Sequence, residues 1–261
     1  MSNQLLFYKT AVPITRARHF DCSLASIEGF EFSQGINSVP LTGVEFPMAL
    51  AEYPIIFAGS PGEIAPAVIL GLGGTENLFL APDYSWMAKY IPAFIRRYPF
   101  VFSRADDRFL LCVDEEYAGF NRDGLGQQFF TPEGEMAPLV QNVLAFVQEY
   151  QAQFTRTQMF CAKVEKLGIL EPMQAQVTVD GVMQNMLGGF QAVSREKLKA
   201  LPGDTLAELA ATDELELIYL HLQSMRNFEA LRDRMVTSRQ RTRPVDEPQT
   251  EPEAMPEPVA P

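Results

Sequence analysis

Apolar positions in the first half of the chain come in short runs broken by glycine and proline. Leu5 to Val12, Ile55 to Ala58 and Ala67 to Leu72 have the length of strands. The third run ends in Gly71-Leu72-Gly73-Gly74, a turn, and Asn77 to Ala81 resumes as its expected partner strand. Trp86 to Tyr98 then changes to helical spacing, with Met87, Tyr90, Ile91, Phe94 and Ile95 on one face. Pro92 lies inside that run and should kink the helix or confine it to the residues after the proline. Phe100 to Phe102 and Phe109 to Val113 predict a hairpin across Arg104 to Arg108, and Gly119 to Gly126 reads as loop.

Thr131-Pro132-Glu133 has the chemistry of a helix start: a capping hydroxyl, a first-turn proline and an acid facing the dipole. The helix expected next, about Glu135 to Leu167, carries Leu139, Val143, Phe146, Val147, Tyr150 and Phe154 at spacings of three and four, and stops at Gly168. Pro172 to Asp180 alternates as a strand, Asp180-Gly181 signals a hairpin turn, and Val182 to Phe190 returns. Ser194 and Thr205 are expected to cap short helices running through Leu201 and Ala211, before a third helix from Leu215 to Met235. No internal repeat is visible. Strands do not alternate regularly with helices, so the fold class is α+β: an antiparallel sheet system, a long central helix and a helical C-terminal portion. Residues 1–243 are expected to form a single domain, and a division into two lobes would fall near 120–135. The segment 244–261 has six prolines in eighteen residues and few core formers, the composition of a disordered tail.

Composition narrows the function classes. The 261 residues are 47% hydrophobic and 21% charged, enough for a sizeable core. Net charge is −12, of which the tail supplies five acids and no base, leaving −7 for the rest. Such a chain repels nucleic-acid phosphates, so no nucleic-acid partner is expected. Cys22, Cys112 and Cys161 are widely spaced, form no CxxC pair and fit a reducing compartment. The N-terminus lacks the apolar core of a signal peptide, and the longest apolar run, Ala65 to Leu72, is too short to span a bilayer. The expectation is a cytoplasmic protein with no integral membrane segment, the alternative being export by a route that leaves no cleavable signal.

Candidate chemistry is sparse. His19-Phe20-Asp21 with His221 supplies the residue types of a two-histidine, one-carboxylate Fe(II) site, in which one face of the metal is held and three positions stay open. The ordinary alternative is a pair of unrelated histidines, and on that reading no cofactor is expected. Ser60 sits in Ala58-Gly59-Ser60-Pro61-Gly62, without the spacing of a nucleophile elbow, and the following proline removes an oxyanion-hole N–H. The Gly71–Gly74 turn fails the dinucleotide pattern at Glu76. The acids Asp106-Asp107 and Asp114-Glu115-Glu116 fall at strand ends, where solvated charge is the default. Arg96-Arg97 is the one basic pair set among aromatics. With Trp86, Tyr90 and Tyr98 it forms the candidate binding surface, able to stack on a ring or clamp a carboxylate. The competing reading is an internal ion pair with Asp83 or Asp114.

Several segments together resemble the SapC family, over about Phe7 to Arg232. They are Val39-Pro40-Leu41, Glu52-Tyr53-Pro54-Ile55-Ile56-Phe57, Asn77-Leu78-Phe79 and the stretch YIPAFIRRYPF from Tyr90 to Phe100. Leu170-Glu171-Pro172, Leu187-Gly188-Gly189-Phe190 and Leu217 to Met225 complete the set. The family is named for a bacterial surface-layer locus, and many members accompany outer-membrane receptor, halogenase-like and cupin-type hydroxylase genes. The resemblance implies a soluble, non-enzymatic accessory protein of a surface-layer or outer-membrane uptake system that binds a protein or peptide. It brings no catalytic residues. The alternative function is a non-haem Fe(II) oxygenase built on His19, Asp21 and His221.

Overall fold

The computed structural model describes residues 5–105, 108–179 and 182–242. The Asp106-Asp107 pair, the Asp180-Gly181 turn signal and the 244–261 tail lie outside the described residues. The N-terminal half contains β1 (Ala11–Pro13), α1 (Arg16–His19), β2 (Ser23–Leu24), β3 (Ser38–Pro40), α2 (Phe46–Ala49), β4 (Ile55–Ala58) and β5 (Ala65–Ile69). After these come α3 (Ala93–Arg96), β6 (Phe100–Ala105), β7 (Arg108–Asp114), β8 (Phe120–Asn121), β9 (Gln127–Gln128) and α4 (Pro138–Lys166). The C-terminal part holds β10 (Leu170–Val179), β11 (Val182–Val193), α5 (Arg195–Lys199), α6 (Gly203–Ala211), α7 (Glu214–Ser224) and α8 (Asn227–Thr242).

The strands form three antiparallel sheets, ordered β10-β11-β4-β5-β3, β1-β7-β6 and β8-β2-β9. With the long α4 and the helices after β11, this is the α+β class that the apolar pattern indicates. The 29 residues of α4 act as the spine because different turns of it serve different cores. Val140 and Val147 pack with Cys22, Phe100, Val113 and Phe129, while Tyr150 joins the cluster of Val39, Phe46, Tyr53, Ile55 and Phe94. Phe160, Cys161 and Val164 pack with Phe57, Leu209 and Ile218. The helix ends where Gly168, at φ +66°, donates its N–H to Glu165 O, a left-handed stop that glycine makes without strain.

Local chemistry overrides several sequence expectations. The strand predicted over Leu5 to Val12 is confined to β1. Asn77 to Ala81 does not pair as a strand: the Asn77 side chain accepts the Phe79 N–H and donates to Ser33, turning the backbone away. β5 is flanked instead by β4 and β3. The helix expected across Trp86 to Tyr98 shrinks to the single turn α3, which begins just after Pro92. Thr131-Pro132-Glu133 starts no helix, since the Thr131 N–H is bound to Glu135 O and α4 begins at Pro138. Leu215 to Met235 divides into α7 and α8 because Ser224 and Asn227 turn their side chains to the backbone of other segments.

The structure also shows a repeat hidden from sequence inspection. Ala81 N–H to Ser85 O, Tyr84 N–H to Ala81 O and Met87 N–H to Phe79 O recur fifty residues on as Thr131 to Glu135, Gly134 to Thr131 and Ala137 to Phe129. Both turns close on a single bridge, Leu80↔Trp86 and Phe130↔Met136, and both pass through a positive φ, at Tyr84 and Gly134. Their shared sequence is little more than a proline followed by an acid, Pro82-Asp83 and Pro132-Glu133.

Candidate functional site

The segments that carry the family resemblance meet around β4, and hydrogen bonds between side chain and backbone join them. α7 offers His221 and Ser224 to the same residue, Ile55. The His221 Nδ1–H donates to Ile55 O at 2.7 Å, and Ser224 Oγ accepts the Ile55 N–H at 2.9 Å. The His221 Nε2 accepts the Val193 N–H at 3.0 Å, which fixes the Nδ1-protonated tautomer. β11 and β4 pair at Phe190↔Ala58 and Gln191↔Phe57, so Val193 and Ile55 lie opposite one another two residues further along. The strands splay there and the imidazole takes the place of the missing rung. His221 is fully buried, and that burial lowers its pKa to about 4. Asn227, at the start of α8, donates to both Leu50 O and Tyr53 O.

On its other side β4 is preceded by Glu52 and Tyr53, which hold the aromatic segment. The Glu52 carboxylate accepts the N–H groups of Lys89 and Tyr90, at 2.9 and 3.0 Å. Trp86 Nε1–H donates to the Tyr53 hydroxyl at 2.8 Å, and that hydroxyl donates to Tyr90 O. Glu45, 3% exposed, gathers four donors: the Thr42 N–H and hydroxyl on one oxygen, the Tyr90 hydroxyl and Ala93 N–H on the other. A buried carboxylate is tolerated when its lone pairs are filled this way. Burial, followed by the charge of Glu45, raises the pKa of the Tyr90 hydroxyl.

The two arginines of YIPAFIRRYPF have opposite environments. Arg97 is 2% exposed, with its guanidinium carbon 4.2 Å from the Phe94 ring centroid, 5.0 Å from Tyr150 and 5.9 Å from Tyr8. It belongs to the core. Arg96 is exposed, its Nε–H donating to Ile91 O, and its guanidinium lies over the rings of Tyr90 at 5.8 Å and Phe146 at 5.4 Å. Trp86 is half-buried between Phe79 and Phe30. Tyr98 is half-buried among Phe7, Tyr8, Phe32 and Tyr117, and its hydroxyl donates to Asp114 at 3.4 Å. Asp114 is not the solvated strand-end acid expected from sequence: it is fully buried and accepts the N–H groups of Lys9, Thr10 and Glu116.

His19, Asp21 and His221 are not brought together. His19 packs between Phe120 and Phe129, whereas His221 packs on Phe57 in another core. Both ring nitrogens of His221 are engaged with backbone, leaving no lone pair for a metal. The Nε2 of His19 lies 3.2 Å from the Glu115 carboxylate, which Arg18 holds in a two-pronged ion pair at 2.6 Å. Burial lowers the pKa of His19, with Thr15 and Glu115 acting in opposition; Arg18 first, then His19, lower that of Glu115. Asp21 pairs with Arg122 at the edge of a shallow recess shared with Ala17, Arg18 and Phe20. Among the described residues, no three His, Cys, Asp or Glu side chains are grouped to hold a metal ion. All three cysteines are buried, and burial pushes the Cys161 thiol up to about 12. No helix among the described residues is long and apolar enough to cross a membrane.

Sequence reasoning missed Glu45, Asn227 and the bridging role of His221. Glu45 alone had a legible signal, the Thr42-x-x-Glu45 pattern of a capping box, which the structure forms. No curated protein and no solved structure matches this chain. A family model described as SapC matches residues 14–231, the span that holds Glu45, Glu52, the YIPAFIRRYPF segment and His221. The chain belongs to the SapC family.

Proposed function

We propose that this SapC protein is a non-enzymatic accessory protein of a bacterial surface-layer or outer-membrane uptake system, and that it acts from the cytoplasm. It holds a protein or peptide partner at the surface around Arg96. One observation carries the reading: of two adjacent arginines in the aromatic segment, one is consumed by the core and the other is presented outward. Arg96 lies over two rings and is tied through Nε to Ile91 O, so part of its rotamer entropy is already lost before a partner arrives. The backbone beneath it is held by Glu52 and Glu45, which makes the platform rigid. A planar guanidinium on such a platform suits a carboxylate of an acidic peptide or protein segment.

A photo-crosslinking residue in place of exposed Lys89 tests this in cells that produce the protein naturally. The expected result is a discrete crosslinked species whose yield falls about tenfold in Arg96→Lys, a loss equivalent to one good charge-assisted contact. The thermal midpoint should stay within about a degree of wild type. A species with equal yield in wild type and Arg96→Lys would remove Arg96 from the binding surface and refute the proposal.

A further inference from the structure

β10 and β11 pair along their length, from Leu170↔Val193 at the base to Val179↔Val182 at the far end. β11 nevertheless meets β4 only at Phe190↔Ala58 and Gln191↔Phe57. Beyond Phe190 the hairpin therefore leaves the five-stranded sheet as a two-stranded arm, with β10 the end strand of that sheet. Among the described residues, β10 has β11 as its single strand neighbour. Two-stranded ribbons are marginal in water, and soluble proteins protect such edges with charge, proline or bulges. The protection here lies toward the base of the arm, in Glu171, Pro172 and two register shifts, Met173/Ala175 and Ala175/Gln176, after which Gln176 to Val179 pair regularly with β11. From Gln174 to Val179 the edge strand reads Gln-Ala-Gln-Val-Thr-Val, with neither charge nor proline. Asp180 is the one charged residue between Pro172 and Phe190, in a chain of net charge −12.

We infer that the outer edge of β10 is an interface with a second copy of this chain, the two β10 strands pairing antiparallel about a two-fold axis. A two-fold contact uses one surface twice, and each copy supplies the same edge, which no other described strand covers. Acidic chains repel one another, and they do so least where a neutral strand meets a neutral strand. Pairing satisfies the outward N–H and C=O groups of β10 and turns each two-stranded arm into part of a four-stranded ribbon.

The test is light scattering and sedimentation equilibrium on the full chain over a wide concentration range. A reversible dimer is expected. The triple variant Gln174→Lys, Gln176→Lys, Thr178→Lys places like charges along the contact and should be monomeric. A second measurement does not depend on that variant folding. Single cysteines introduced at each position from Gln174 to Val179 are oxidised, against a background in which Cys22, Cys112 and Cys161 are all buried. Antiparallel two-fold pairing predicts covalent dimer peaking at one position and declining on both sides of it. A wild-type chain that stays monomeric throughout, a dimer that persists in the folded triple-lysine variant, or cysteines that fail to crosslink at every position would each overturn the inference.

Discussion

The bridging role of His221 makes stability depend on pH in a specified window. In the folded protein its neutral imidazole donates from Nδ1 to Ile55 O and accepts at Nε2 from Val193 N–H. Protonation would put an Nε2–H against another N–H inside a buried core, and burial already lowers the pKa from 6.5 to about 4. The unfolded chain binds the proton near pH 6.5, so between those values the unfolded state carries more protons. Stability from this group is therefore fully present above pH 6.5 and is lost as pH falls toward 4. A shift of that size corresponds to about 3 kcal/mol in all, of which about 2 kcal/mol is lost between pH 7.5 and 5. The comparison protein is His221→Gln, which offers a donor and an acceptor without titrating in this range. Urea unfolding of both proteins at pH 7.5 and pH 5 gives the gap between them at each pH. Other titrating groups, His19 included, are present in both proteins and largely cancel. Wild type should be the more stable at pH 7.5, and its advantage should shrink by about 2 kcal/mol at pH 5. A gap that is the same at both pH values would show that His221 does not act as a neutral rung.

Glu45→Gln leaves an amide donor facing a donor at Ala93 N–H or at Thr42, so it should lower stability by about 3 kcal/mol in urea unfolding at neutral pH. Arg97→Lys loses the planar stack on Phe94 and Tyr150 and should destabilise by about 1–2 kcal/mol. Arg96→Lys should leave the melting temperature within about a degree, so equal melting losses for the two variants would contradict their assigned positions. Gly71→Ala would place a Cβ 2.0 Å from Glu76 O, a backbone atom that cannot swing aside. A loss of about 2 kcal/mol or more is expected, and an unchanged thermal midpoint would refute the close approach.

Periodicity alone determined the elements whose residues agree with one another over many positions. The long helix follows from the unbroken three-and-four spacing of Leu139 through Phe154, and the two long hairpins from apolar runs on either side of short polar turns. The α+β class and the SapC resemblance were legible for the same reason, since both are carried by residue order. Tertiary structure decided what each short segment did with its polar side chains. Asn77 had the neighbours of a strand residue, but Ser33, 44 positions earlier, claims its amide. Leu215 to Met235 had the spacing of one helix, but Ser224 and Asn227 answer backbone groups of Leu50, Tyr53 and Ile55. Arg96 and Arg97 are neighbours of identical chemistry, and only the packing of Tyr8, Phe94 and Tyr150 determines which one is buried. His221 looked like a metal ligand when read by residue type, because an imidazole in a sequence shows two open nitrogens. In the fold both are filled by strands 28 and 166 residues away. Local spacing encodes which face of an element is apolar, whereas a buried polar group is defined by its partner, and that partner is chosen only when distant segments come together.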